Sequence, residues 1–322
     1  MTDSRFTSDI SQAATRVRAG ELVALPTETV YGLGADATNE AAVHKIFAAK
    51  GRPADHPLIV HFDSIPAAQK WAFSWNISLN LLANAFWPGP MTLIVKRAAH
   101  VSDAVTGGQD TVGLRVPSHP VALALLREAG VPIAAPSANK FGHVSPTRPE
   151  HVASEFGDEL QTILVGGDCE VGVESTIIDC TVEPVRILRP GRISAADIER
   201  VLGVAPQIAF EDSNAPRVSG SLASHYAPRT PTFLKKSETF STKQGTRKIG
   251  TLTFTVVPAF EGTHHSKLKI SASQIEHDLY ADLRALDAAG LDEIWIETPP
   301  NGEAWDAVRD RVTRASKPDD TV

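Results

Sequence analysis

The amino-acid sequence predicts an α/β protein made of a larger mixed-sheet domain followed by a smaller α/β domain. Three observations carry this. Short apolar runs alternate with stretches of helical spacing up to about residue 202, and the runs beyond residue 160 lie too close together for helical crossovers. A stretch rich in Gly, Pro, Ser and Asn at 203–230 then interrupts the pattern before it resumes. Finally, a chain of 322 residues exceeds the size at which one core usually stops growing. The division read from the sequence is 1–202, a connection at 203–230, and 231–322.

Ile10, Ala13, Ala14 and Val17 recur at helical spacing after Ser8 and Asp9, with Gly20 past the end, so a capped amphipathic helix opens the fold. A short apolar run at 21–25, stopped by Pro26, reads as a strand, and 39–50 reads as a helix through Val43, Ile46 and Phe47. What lies between reads as a loop. Further strands are expected at 58–62, 92–96, 112–116, 131–134, 162–165, 176–178 and 185–188, and a helix at 121–129. Beyond the connection, 232–234, 249–254, 268–270 and 293–297 read as strands, and 274–289 and 303–314 as helices.

Composition narrows the function. A net charge of -7 and a pI near 5.9 argue against a broad polyanion-binding surface, although a local basic pocket is compatible with both. No apolar run approaches the ~18 residues of a membrane span, and residues 1–20 lack a basic start followed by an apolar stretch. The expectation is a cytoplasmic protein with no membrane partner. Cys169 and Cys180 read as buried thiols rather than a disulfide framework.

The segments able to carry chemistry sit at strand ends. Pro26-Thr27-Glu28-Thr29-Val30-Tyr31-Gly32-Leu33-Gly34 follows the first strand, and open α/β sheets bind ligands at such edges. Gly32, Gly34 and Ala37 match the G-x-G-x-x-A spacing of a dinucleotide fingerprint, but a Thr/Glu-rich stretch separates them from the strand, so a glycine-dependent turn explains them equally. Lys50-Gly51-Arg52-Pro53 closes a helix, where cations either answer the helix dipole or grip a polyphosphate. Ala135-Pro136-Ser137-Ala138-Asn139 and Ser145-Pro146-Thr147 offer small polar groups suited to phosphate or ribose contacts, and turn chemistry accounts for them as well. Arg115 on a strand needs a carboxylate or phosphate partner if buried, from protein or substrate. His61 between Val60 and Phe62 reads as a satisfied core histidine when taken alone. A phosphate loop of the G-x-x-x-x-G-K-[ST] type, a zinc H-E-x-x-H, a C-x-x-C pair and a G-x-S-x-G elbow are all missing.

Taken together, residues 26–34 and 50–58, Trp87-Pro88-Gly89-Pro90-Met91-Thr92, Arg115-Val116-Pro117, residues 135–139 and 145–147, 174–179, and Arg189-Pro190-Gly191 resemble the YrdC family in order and spacing. The likeness spans about residues 10 to 200. His225-Tyr226-Ala227-Pro228 followed by a second domain is similar to the long, two-domain form of threonylcarbamoyl-AMP synthases. The resemblance implies a twisted open mixed sheet with a concave basic face, plus the smaller C-terminal α/β domain. It implies a nucleotidyltransferase reaction in which L-threonine, bicarbonate or CO2, and ATP give threonylcarbamoyl-adenylate and pyrophosphate. The product then feeds a tRNA threonylcarbamoyltransferase complex modifying adenosine 37, with weak direct tRNA contact possible in principle.

By matching motif positions, the resemblance assigns ATP to Lys50, Arg52, His56, Thr111, Ala135, Ser137, Asn139, Ser145, Arg189, His225 and Tyr226. It assigns threonine to Thr27, His61, Arg115 and Ser175. Lys50 and Arg52 would offset charge developing on the phosphates, with Mg2+ sharing that task and no protein metal site expected, while Arg115 would fork onto the amino-acid carboxylate. No residue stands out as a base, so catalysis by positioning is expected. Two positions depart from the family pattern: His56 stands where Asn is common, and Ala223 where many long forms carry Tyr. The connection at 203–230 is expected to act as a lid through His225 and Tyr226. Two alternatives remain at this stage, an RNA-binding module without chemistry and a YrdC-like carbamoyl-transfer domain. Few aromatics for base stacking weigh against the first, and the absence of attached zinc-finger and acylphosphatase segments against the second.

Overall fold

The computed structural model describes residues 3–210, 212, 214–220, 225–241, 247–256 and 271–317. Its contacts divide the chain into one unit of Met1–Phe141 with Pro146–Ser221 and another of Gly142–Ser145 with Leu222–Val322.

The first unit is built on a mixed sheet of eleven strands. In chain order these are β1 (Phe6–Thr7), β2 (Val23–Leu25), β3 (Gly32–Asp36), β4 (Ile59–His61), β5 (Met91–Lys96), β6 (Thr111–Arg115), β7 (Ile133–Ala134), β8 (Ile163–Leu164), β9 (Thr176–Asp179), β10 (Arg186–Arg189) and β11 (Gln207–Ile208). In space they run β1-β8-β2-β3-β7-β4-β6-β5-β9-β10-β11. Parallel pairs such as β4 with β6 occur beside antiparallel ones such as β5 with β6, so the expected mixed α/β architecture is present. The helices are α1 (Ile10–Arg18), α2 (Glu40–Lys50), α3 (Ile65–Gln69), α4 (Ile77–Phe86), α5 (Asp103–Thr106), α6 (Pro120–Ala129), α7 (Pro149–Phe156) and α8 (Ala195–Leu202). Their caps are legible. Asp9 accepts from Gln12 N at α1, Asn39 from Ala42 N at α2, and Ser194 with Asp197 forms a capping box at α8.

The two-residue period of the strands separates the faces of the sheet. Ala24, Val60, Leu93, Leu114 and Ile178 point to one side, into a core shared with α2 and α4. Their neighbours Val23, Leu25 and Ile133 point to the other, where α1 and α6 cover them. Further along that second face Ile94, Ile177 and Leu188 meet no helix of their cluster. Val218, Ala209 and Ala215 of the connection pack there instead.

The glycine segment expected to be a loop is β3, antiparallel to β2 and β7. A Cβ on Gly34 would lie 2.7 Å from Leu25 Cδ2 and 2.8 Å from Ile133 Cγ2, so glycine is there to let strands approach, which removes the dinucleotide-fingerprint reading. The connection holds a strand, β11, beside β10. Helix α4 had no strong signal because its segment carries no charge from Trp71 to Val95, yet Asn76 caps it and Leu79, Leu82 and Ala83 bury one side. Cys169 and Cys180 are free and buried, and burial raises both thiol pKa values.

The second unit has a parallel three-stranded sheet of β12 (Thr232–Lys235), β13 (Ile249–Leu252) and β14 (Glu293–Glu297), with β14 in the middle. Helices α9 (Ala272–Asp287) and α10 (Asp306–Ala315) complete it. The strand expected at 268–270 lies outside the described residues. At the end of β14 the Glu297 carboxylate accepts from Phe254 N at 2.6 Å, Thr255 N at 2.9 Å, Ser237 Oγ at 2.7 Å and the Thr255 hydroxyl. Burial alone would raise its pKa, but these donors outweigh burial and hold it below the usual carboxylate value.

Gly191, in the Arg-Pro-Gly segment after β10, has the tightest constraint near β9. A Cβ there would lie 2.5 Å from Thr176 N and 2.8 Å from Glu174 O, both main-chain atoms that cannot swing away. Gly191→Ala is expected to cost about 1–3 kcal/mol, the usual range for forced overpacking. Urea unfolding of wild type and variant measures it, and an unchanged midpoint would contradict the packing argument.

Candidate active site

Alternation along the strands gathers most of the predicted amino-acid residues. With Val60, Leu93, Leu114 and Ile178 in the opposite core, Ile59 and His61 of β4, Thr111, Gly113 and Arg115 of β6, Thr92 and Ile94 of β5, and Ser175 and Ile177 about β9 lie on the second face. His61 and Arg115 are register partners.

Arg115 is 4% exposed, and its partner is Glu28 from the first motif, 3% exposed, with Arg115 Nη2 2.7 Å from Glu28 Oε1. The ion pair lacks hydrogen-bond alignment, since neither of those two atoms has a hydrogen-bond partner. Glu28 Oε2 accepts from Ser118 N at 3.2 Å, and Arg115 Nε donates a long 3.4 Å bond to Gly89 O. The expected open fork is therefore closed on two of its three nitrogens. Nη1 remains for a ligand.

Thr27 uses its hydroxyl internally: Oγ1 donates to Val30 O at 2.6 Å and accepts from Thr29 N and Val30 N, each at 3.2 Å. It staples the loop that carries Glu28. His61 is 3% exposed, and its Nδ1 has no hydrogen-bond partner. Burial first, and the Arg115 charge second, push its pKa down to about 3, so the ring is neutral at ordinary pH. Ser175 Oγ is 2.8 Å from Thr92 Oγ1 and accepts from Arg189 Nη2 at 3.2 Å, while Arg189 Nε and Nη2 also donate to Ser175 O at 3.1 and 3.0 Å.

Among the residues assigned to ATP, Lys50 sits at the last turn of α2, before Gly51 in the left-handed conformation at φ 63°. Its ammonium donates to Ser137 O at 2.6 Å and to Asn139 O, tying the Ala135–Asn139 segment to α2. Burial, then the Arg52 charge, lowers its pKa well below the ordinary lysine value. The same segment is laced to the first motif by Leu33 N to Pro136 O and Ala138 N to Tyr31 O, both 2.8 Å, and Ala135 N donates to Ile59 O at 3.0 Å. Arg52 Nη2 donates to Pro57 O at 3.0 Å, and its guanidinium lies 6.0 Å from the centre of the Phe141 ring. His56 meets the same ring edge-on at 5.5 Å, and burial with the Arg52 charge lowers its pKa. Thr111 lines a narrow crevice with Ile59, Ile94, Gly113 and the Arg217–Ser219 segment, and Arg189 Nη1 donates to Ser219 O at 2.8 Å.

The remaining assignments fall in the second unit. Ser145 clusters there, its carbonyl accepting from Arg284 Nε at 3.4 Å. His225 N donates to Arg314 O at 3.1 Å. Tyr226, at the positive φ of 61°, stacks on Tyr280 at 5.6 Å beneath the Arg311 guanidinium at 5.4 Å. Ala223 lies outside the described residues. Sequence reading passed over Glu28 and Phe141. A buried strand arginine was a signal that a carboxylate partner existed, but not where, and nothing in the sequence singled out Phe141.

Comparison with known proteins places these features in context. Residues 15–191 match the Sua5–YciO–YrdC family model, described as "Telomere recombination", and residues 193–317 match the model "Threonylcarbamoyl-AMP synthase, C-terminal domain". The threonylcarbamoyl-AMP synthase of Pyrococcus abyssi is 38% identical over 318 residues, covering 94% of this chain and 93% of the relative. That of Bacillus subtilis is 39% identical over 331 residues, covering 98% and 96%. A crystal structure of P. abyssi Sua5 complexed with L-threonine matches with a TM-score of 0.86 at 37% identity, covering 95% of this chain and 94% of that one.

The His61 environment has a consequence for stability. In the unfolded chain the ring takes up a proton below its ordinary pKa of 6.5, whereas in the folded protein it stays neutral down to about 3. Its contribution is therefore complete above 6.5 and is lost as pH falls, at up to about 1.4 kcal/mol per pH unit. Denaturant midpoints for wild type and His61→Gln between pH 7 and 4 are expected to converge on acidification. Parallel pH profiles would show that His61 titrates normally when folded.

Proposed function

The chain belongs to the Sua5–YciO–YrdC family, in the form that carries a threonylcarbamoyl-AMP synthase C-terminal domain, and from that premise we propose how its residues divide the reaction. The activity is that of a threonylcarbamoyl-AMP synthase: L-threonine, bicarbonate or CO2, and ATP become threonylcarbamoyl-adenylate and pyrophosphate.

In this reading the threonine carboxylate meets Arg115 at Nη1, with neutral His61 and Ser175 as its polar neighbours. The threonine ammonium gives up one proton to solvent, the free amine adds to CO2, and the adduct loses a second proton to solvent, leaving a carbamate that keeps one N–H. A carbamate oxygen then attacks the α-phosphorus, and the bond to pyrophosphate breaks. Arg189 and Thr111 hold the phosphate side. Lys50 acts by fixing the Ser137 and Asn139 backbone, and Arg52 supplies the nearer positive charge. The observation that carries the reading is the Arg189–Ser175 contact, which leaves the residue assigned to phosphate one hydrogen bond from a residue assigned to the amino acid. Nucleophile and α-phosphorus have to meet within such a distance. ATP as substrate follows from the activity, and we read Mg2+ as arriving with the triphosphate. Among the described residues no group of three or more His, Cys, Asp or Glu is placed to hold a metal ion.

The wider assignments belong to the same proposal: supply of adenylate to a tRNA threonylcarbamoyltransferase complex, weak direct tRNA contact, and work in the cytoplasm. Among the described residues no helix is long and apolar enough to cross a membrane. The connection serves as a lid. Support comes from Val218 and Arg217–Ser219, which lie over the Thr111 face, so that nucleotide entry requires this segment to lift. His225 and Tyr226 would then close over bound ATP.

Three measurements test these statements. Mass spectrometry of the complete mixture is expected to find threonylcarbamoyl-adenylate and pyrophosphate only when threonine, bicarbonate and ATP are all present, and ATP consumption without threonine would defeat the assignment. Arg115→Lys is expected to weaken threonine binding about 10- to 150-fold, because one ammonium cannot serve Glu28, Gly89 O and a ligand together, while ATP affinity changes little. Equal losses for both ligands by calorimetry would make Arg115 a phosphate or structural residue. For the lid, ATP plus threonine is expected to change the rate at which protease cuts the connection, and identical cutting with and without ligands would exclude it.

A further inference from the structure

Glu28 is a buried carboxylate that the reaction does not use. It sits at the amino-acid side of the site, contributes no atom to the steps above, and pairs with the cation expected to meet the substrate. Neither Glu28 Oε1 nor Arg115 Nη2 is open to solvent, so a ligand arriving at Nη1 does not displace Glu28 but adds its own charge to the pair. His61, the register neighbour, adds none. The next cation, Arg189, is turned to the carbonyls of Ser175 and Ser219.

We propose that Glu28 is a specificity-determining residue that makes the site choose a zwitterion over a bare carboxylate. It cancels the charge of Arg115 through a pair whose facing atoms, Glu28 Oε1 and Arg115 Nη2, are closed to solvent. The proposal rests on the reading that Arg115 Nη1 receives the amino-acid carboxylate. A monoanion placed there leaves the group of Arg115, Glu28 and ligand with one uncompensated negative charge in buried surroundings, which is costly. An α-amino acid brings its own ammonium, so the same group sums to zero. Arginine alone attracts any carboxylate; the arginine–glutamate pair discriminates by net charge. Such discrimination by a repulsive element is a general route to specificity. Glu28 touches no reacting atom, and it acts through the field at Arg115.

The test compares L-threonine with 3-hydroxybutyrate, the same molecule without its ammonium group, by calorimetry on the full chain. In Glu28→Gln the preference for threonine over 3-hydroxybutyrate is expected to fall by about 10-fold or more, because the bare anion gains an uncompensated arginine. If both ligands weaken equally, Glu28 merely holds Arg115 in place and the proposal is overturned. Arg115→Gln separates the premise from the inference: it is expected to weaken both ligands, and threonine affinity unaffected by Arg115→Gln would sink the amino-acid assignment itself. ATP affinity reports whether each variant is folded. Should Glu28→Gln fail to fold, wild-type protein still decides. Binding of 3-hydroxybutyrate is expected to be at least about 10-fold weaker than that of threonine. Binding of the bare anion as tight as that of threonine would overturn the proposal.

Discussion

A guanidinium buried in a sheet has to find a negative charge, and in this molecule the requirement is met by Glu28 across to Arg115. Much of the first unit is arranged around that meeting. The Thr27 hydroxyl staples the loop that presents Glu28, Val171 N donates to the Glu28 carbonyl at 2.7 Å, and Ser118 N to its free oxygen. From Arg115 the connections run through Gly89, whose N–H reaches Val116 O, to the strand that carries Thr92 beside Ser175. On the other side, Tyr31 and Leu33 lace the same motif to the segment held by Lys50. Segments distant in the chain are thus locked by short polar contacts before any substrate arrives, the kind of preorganisation that catalysis by positioning depends on.

The buried cations share this economy differently. Arg115 keeps a carboxylate, whereas Lys50 gives its hydrogen bonds to carbonyl oxygens, and burial with the Arg52 charge lowers its pKa. Arg52 lies over the Phe141 ring, which His56 also meets. The positions that look alike in sequence as "basic" therefore carry different electrostatic weight, set by what each side chain meets.

The strands most legible in the sequence were those with an apolar run, such as β5, whose Leu93, Ile94 and Val95 are all buried. Capped helices with one apolar face, such as α1, were equally plain. β3 was hidden because its glycines, read locally, signal a turn, whereas their need is a close approach to Leu25 and Ile133 that only tertiary structure reveals. α4 was hidden because its polar face is made of Ser and Asn rather than charges. In the site, residue types at strand ends marked segments that strand alternation brings onto one face, and their roles were proposed from the family likeness alone. Who pairs with whom was out of reach: Glu28 and Arg115 are far apart in the chain, and no local pattern marks one as the other's counter-ion. The hydroxyl of Thr27 illustrates the reverse, a side chain of suitable chemistry already spent on its own turn.

The placement of β1 bears on how the chain is made. Phe6 and Thr7 pair with Ile163 and Leu164, and β2 also leans on β8 through Ala24 and Ile163. During synthesis the first strands leave the ribosome roughly 150 residues ahead of the partner that completes their edge, seconds in advance at ordinary elongation rates. Throughout that interval the nascent chain presents the Val23–Leu25 edge unpaired on one side. The first half of this protein cannot complete its sheet as it emerges, and where β8 falls in the sequence sets when that edge is covered.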